Sequence, residues 1–393
     1  MTPPSTDAGP ATTRATAAGD VSPSAAATAP DPSPAGDAPA RDPLGPSWFA
    51  AVMGTGIVAD AAVTLPRTFP GLRAATTAVW AGAALLLLAL TAGYLRRRGL
   101  RLHAAHPVQS QFLGAPPMAL MTVGAGALLL GRQLIGARAA LDVDWVLWAL
   151  GTALGLATVC VVPYRMISRH VYKPGAAFGG WLMPVVPPLV SAATGTLLVP
   201  HAPAGQPRQA LLLGCWALFG LGVVAVLLVL SMVYSRLVHH DAPSGAVVPT
   251  VWIGLGALGQ AVTALGGLAA ASSGTLPAPY ARGAAVIALL GGVSIWGFSM
   301  LWLALATALT VREVRSGLPF APTWWSFIFP LGACVTATSA LAARTGSQLF
   351  VWPAVALYAA LAAAWAVVAW RSLRYAASEV RPPRAGAARA IGA

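Results

Sequence analysis

The chain has 393 residues, of which 57% are hydrophobic and only 9% charged. Soluble domains carry about 25% charged residues, so composition excludes an ordinary soluble protein and points to the bilayer. The formal charge of +13 would suggest nucleic acid as a partner in a soluble chain, but here the basic residues fall in short loops between apolar runs, where they orient a membrane protein.

Residues 1–45 are rich in Ala, Pro, Thr, Ser and Asp and almost free of large apolar residues, which predicts a disordered tail. No basic start followed by an apolar core is present, so no cleavable signal peptide is expected and the first spanning helix serves as the insertion signal. Ten apolar runs follow, near 47–65, 74–95, 114–131, 142–164, 181–199, 209–236, 247–271, 283–311, 322–342 and 349–372. Each reaches or approaches the roughly 20 residues that a bilayer core requires. The transmembrane domain therefore spans 46–375, and 376–393 form a basic C-terminal tail.

Odd and even runs differ. The odd ones are interrupted, by Gly54 and Gly56, by Pro116 and Pro117, by Pro184, Pro187 and Pro188, by Pro249, and by Pro330. The even ones are smoother and rich in Leu, Ala and Val, with Pro163 and Pro353 near an end. Odd runs also tend to begin on an aromatic residue, and their starts recur every 65–75 residues, a weak repeat of five helical hairpins. All odd helices run the same way through the membrane, so the repeats are related by an axis along its normal. Irregular backbone must avoid lipid, which puts the odd helices inside and the even ones outside. The predicted fold is all-α integral membrane, ten helices as five hairpins around a central pore. A packed bundle whose Gly and Pro serve only close helix contacts fits the same pattern.

Seventeen of the 24 Lys and Arg lie in the tails and the loops after even helices, which predicts both termini on the cytoplasmic side of the cell membrane. Charge within the spans is sparse. Asp60, near the outer end of the first run, is either a proton site that couples transport or a carboxylate at the mouth reaching water. Arg165 and Arg236 sit at inner helix ends, where they either concentrate anions at the mouth or snorkel to the interface.

The six His lack carboxylate or Cys partners at metal spacing, so no metal is expected. Cys160, Cys215 and Cys334 fall inside apolar runs and read as small core residues. No nucleophile elbow, phosphate loop or paired carboxylate is present, so neither an enzyme nor a cofactor is expected. Without charges, an anion would be held by hydroxyls and by backbone N–H groups freed at helix breaks. Thr55, Thr336 and Thr338 are the candidates, and Phe329, directly before Pro330, is either an apolar constriction or an aromatic packed between helices.

Two stretches carry a resemblance. Pro46-Ser-Trp-Phe-Ala-Ala-Val-Met-Gly-Thr-Gly-Ile-Val58 resembles the first helix of the tellurite-resistance/dicarboxylate transporter family, also called the slow-anion-channel family. Trp324-Trp-Ser-Phe-Ile-Phe-Pro-Leu331 resembles its ninth helix. The similarity spans roughly 46–375, and Met53-Gly54-Thr55-Gly56 is closer to the malate/sulfite branch. The resemblance implies five hairpins around a pore in each subunit, a homotrimer, and Phe329 as the residue that blocks the pore. It implies transport of a small anion, C4-dicarboxylates such as malate first and sulfite or another small inorganic anion as the alternative. A membrane sensor that binds an anion without moving it is a further reading.

Overall fold

The computed structural model describes residues 45–97 and 100–380; the expected N-terminal tail and most of the C-terminal one lie outside the described residues. The described residues are helical, without a strand. In chain order the helices are α1 (Phe49–Thr64), α2 (Leu72–Arg97), α3 (Leu100–Ala105), α4 (Ala115–Gly126), α5 (Arg132–Ile135), α6 (Ala137–Arg169), α7 (Pro187–Leu198), α8 (Gln206–His239), α9 (Ile253–Ser272), α10 (Ala278–Arg315), α11 (Ile328–Thr345) and α12 (Gln348–Val380). The last continues past residue 375, where a tail was expected.

Five of these helices form an inner ring. α1 packs on α4, α4 on α7, α7 on α9, α9 on α11, and α11 closes back on α1. The other long helices, α2, α6, α8, α10 and α12, each pair with the inner helix that precedes them in the chain. In the inner spans, 72–83% of residues are buried, against 17–22% in the outer ones. What the outer helices expose is apolar, for example Leu85, Leu88, Leu228, Leu290 and Trp370, each more than 60% accessible. Only a lipid environment makes such a surface stable.

The prolines of the inner helices lie at their entries, whereas Gly54 and Gly56, expected as interruptions, fall inside the continuous α1. A 3₁₀ turn precedes α1 (Pro46–Trp48), α4 (Gln109–Gly114), α9 (Gly245–Trp252) and α11 (Pro322–Phe327). Before α7 a 3₁₀ turn at Gly179–Leu182 leads into an irregular stretch. Pro116, Pro117, Pro187, Pro188 and Pro330 thus fall in first turns, where a backbone N–H has no intrahelical partner to lose. Pro330 does not break a running helix, as its place within an apolar run suggests; the change is from 3₁₀ to α. These entry turns touch in chain order and also close into a ring. Glycine permits the contacts. A Cβ on Gly114 would fall on the carbonyl of Met183, and one on Gly179 on the carbonyl of Thr250.

Among the described residues, nine helices are long and apolar enough to span a bilayer. The fifth expected span is the exception. It consists of the Gly179–Leu182 turn, the irregular stretch, the 12-residue α7 and a 3₁₀ turn at Val199–His201. α7 alone rises about 18 Å at 1.5 Å per residue, short of a bilayer core. It nevertheless occupies its place in the ring, between α4 and α9. The second inner helix carries a π-helical segment, Ala127–Gly131, between α4 and α5.

The outer helices supply indole donors to inner-helix oxygens. Trp80 donates to the Val123 carbonyl at 3.0 Å, Trp148 to the Ser191 carbonyl at 2.9 Å and Trp302 to the Val251 carbonyl at 2.9 Å. Val123 lies just before the π-segment and Val251 in a 3₁₀ entry, where regular i→i−4 bonding is disturbed.

Candidate functional site: a vestibule at the axis of the inner ring

All five inner helices begin on one face of the domain, and there they enclose a cavity. Its wall takes Ser47, Ala50 and Met53 from the first hairpin, Phe112 and Met118 from the second, and Met183 and Val186 from the third. Ile253, Gly256 and Ala257 come from α9, and Pro322, Trp325, Ser326, Phe329 and Pro330 from the α11 segment. The space is narrow, about 20 Å³, room for roughly one water molecule. No charged side chain lines it. Phe329 stands in this wall and is 2% exposed. Its position follows from the local sequence. Pro330 packs against Gly256 of α9, where an added Cβ would come within 3.1 Å of the proline, and this close approach fixes the start of α11 in the ring.

The remaining sequence-selected residues divide between wall and packing. Gly54 faces Trp325, whose ring lies 2.9 Å from where a Cβ would stand, and Gly56 faces the methyl of Thr122 at 2.6 Å. They are the close contacts of α1 with α11 and α4. Thr55 faces outward and accepts a hydrogen bond from the indole of Trp365 on α12 at 3.2 Å. Thr338 donates to the Cys334 carbonyl at 2.7 Å and accepts from Trp296 on α10 at 2.9 Å. Pro117 and Pro187 both approach Gly155 of α6, and Pro188 and Pro249 are buried. Pro116 is half-buried, and Pro184 lies in the turn that meets Gly114.

The two arginines lie away from the vestibule wall. Arg165 donates to the Ala104 carbonyl at 2.6 Å, tying α6 to the end of α3. Arg236 borders a separate open groove with Tyr172, Lys173, Ser235 and His240.

Asp60 sits toward the far end of α1 beside Gly126, where an added Cβ would stand 2.8 Å from its Oδ1 and closer still to Trp80. It is 7% exposed, so it does not reach open water as a mouth carboxylate would. On the other side of α4, Asp144 of α6 lies as close to Gly124 and is fully buried. Among the described residues, Asp60 Oδ1 and both Asp144 oxygens have no hydrogen-bond partner. Sequence reasoning passed over Asp144. It shares the start of α6 with Asp142, and only the fold separates the exposed one from the buried one.

Sequence reasoning also missed Gln260 of α9, 4% exposed and one turn beyond the vestibule residues Gly256 and Ala257. No pattern marks it, because a lone Gln in an apolar run has no spacing to read. Among the described residues no group of three or more His, Cys, Asp or Glu could hold a metal ion.

A ring of interrupted helices inside a lipid-facing ring, enclosing an uncharged axial cavity, defines a multi-pass membrane protein built around a passage. The sequence profile of the voltage-dependent anion channel family, SLAC1, matches residues 43–373, and the chain belongs to that family of anion transporters and channels. It is 28% identical over 321 residues to the sulfite efflux pump SSU1 of Trichophyton rubrum, covering 78% of this chain and 83% of that protein. It is 31% identical over 301 residues to an uncharacterized transporter of Methanocaldococcus jannaschii, covering 75% and 82%. The malic acid transport protein of Schizosaccharomyces pombe is 25% identical over 223 residues, covering 53% of this chain and 50% of that protein.

Proposed function

We propose that the protein moves small oxyanions of the sulfite class through the axis of the inner ring, with Phe329 as the gate. The observation that carries this reading is the vestibule, to which every inner helix contributes and whose wall includes the Phe329 ring. The family explains why anions are the cargo, and the geometry supplies a physical reason. The inner helices all begin around the vestibule, so their positive dipole ends point toward it without a fixed charge, while its accessible lining is almost wholly apolar. An anion is attracted yet not trapped, which conduction needs. Phe329 opposes it by excluding water, and its rotation opens the path.

Sulfite ranks ahead of malate here, which reverses the order expected from the sequence, where C4-dicarboxylates came first, because similarity to the sulfite pump runs along most of both chains while that to the malic acid protein covers about half. C4-dicarboxylates are the second reading. The positive loops favour both termini in the cytoplasm of a cell-membrane protein, and three subunits with a pore each is the assembly in which we expect it to work.

The test is anion current in planar bilayers with purified wild type beside Phe329→Ala, across sulfite, malate, chloride and nitrate. The substitution is expected to raise current at least about tenfold by removing the apolar constriction. Equal currents in both would remove Phe329 as the gate. Absence of any anion flux in either would remove the transport reading.

A further inference from the structure

Beyond Phe329 the passage needs a group to receive the anion, and the hydroxyls there are committed. Thr263 of α9 and Thr336 of α11 lie 2.8 Å apart. Thr263 also donates to the Gly259 carbonyl at 3.0 Å and Thr336 to the Ala333 carbonyl at 3.0 Å. Three contacts compete for two hydroxyl protons, so the pair has none to spare. Thr122 donates to Met118 and Thr196 to Ala193 within their own helices.

Gln260 differs. Its carboxamide has no hydrogen-bond partner among the described residues, and its polar atoms are not among those sealed from open space. The contacts of α9 fix the direction it faces. Gly256 and Gly259 lie against Pro330 and Ala333 of α11. Ala264 and Leu268 pack with residues of α7 and α8, while Gly254 meets Trp302 of α10. At 100° per residue Gln260 falls in the sector left between the α11 side and the α7 side, which is the ring axis. Its amide is therefore unpaired among the described residues yet within reach of a ligand that enters the axis.

We propose that the Gln260 carboxamide is an anion-binding group on the far side of Phe329, and that it selects monoprotonated oxyanions over halides. Nε2 donates to an anion oxygen while Oε1 accepts the anion's own O–H, a paired contact that a halide cannot make. This deepens the transport reading and rests on the axis being the path.

The test compares Phe329→Ala with Phe329→Ala/Gln260→Met, a substitution of similar length without the amide. Removing a hydrogen bond to a charged group is expected to lower the permeability of hydrogensulfite relative to chloride about tenfold and leave chloride current near its parent value. Gln260→Asn, which keeps the amide one methylene shorter, is expected to fall between the two and serves if the Met variant does not fold. An unchanged permeability ratio in the Met or Asn variant overturns the proposal.

A second readout is independent of flux. Bisulfite is expected to raise the melting temperature of the purified single variant Gln260→Met less than that of wild type. If no variant conducts but this difference holds, the site stands and the transport reading fails. If currents are robust while ratio and stabilisation do not change, the site fails and transport stands.

Discussion

Inner and outer helices come from the same hairpins, yet many of their glycines face different surroundings. On α4, α9 and α11 a glycine is a point of contact: Gly124 on α6, Gly259 on α11, Gly332 on α1. On α2, α8 and α10, Gly82, Gly214, Gly220, Gly283 and Gly297 have nothing within 4 Å of an added Cβ. The inner ring needs close backbone approach because lipid supplies no hydrophobic drive between helices, and association rests on packing. The outer ring returns indole N–H groups to oxygens of the inner one, so the inner backbone can be irregular without leaving polar atoms bare.

The contrast can be broken by substitution. Gly114→Ala drives a methyl group into the Met183 carbonyl, and backbone cannot yield cheaply, so size-exclusion chromatography is expected to show little or no monodisperse protein. Trp302→Phe leaves the Val251 carbonyl buried without its donor, an expected loss of about 1–3 kcal/mol in thermal unfolding. Trp370→Phe, on the exposed face of α12, is expected to change stability by less than about 0.5 kcal/mol.

Asp144→Asn removes the possibility of a buried unpaired charge. Its melting temperature is expected to match or exceed wild type by a degree or two at neutral pH; a marked fall would show that Asp144 holds a partner the helices do not supply. Gly220→Ala reaches open space and is expected to gain roughly 0.5–1 kcal/mol of helix propensity. A loss there would mean that this outer face is covered by protein, as it would be in an oligomer.

Much of this was legible in the chain. Hairpins of unequal character and the inside position of the interrupted helices come from hydropathy and from proline and glycine spacing. Site chemistry was harder. Thr55 stands between two glycines in the motif and looks like a free donor, but the turn of α1 points it at Trp365. Asp142 and Asp144 are neighbours in sequence and opposites in burial. Gln260 has no pattern of its own, and its candidacy arises from which sides of α9 the neighbouring helices occupy.

The sequence by itself determined that this chain lives in a bilayer and which helices face lipid, because these depend on composition and hydropathy. The tertiary structure decided that the ring closes from α11 to α1, which hydroxyls are already committed and which polar groups remain free. Those depend on the rotation of each helix about its own axis, where a single 100° step carries a side chain from the passage to the packing and leaves hydropathy unchanged.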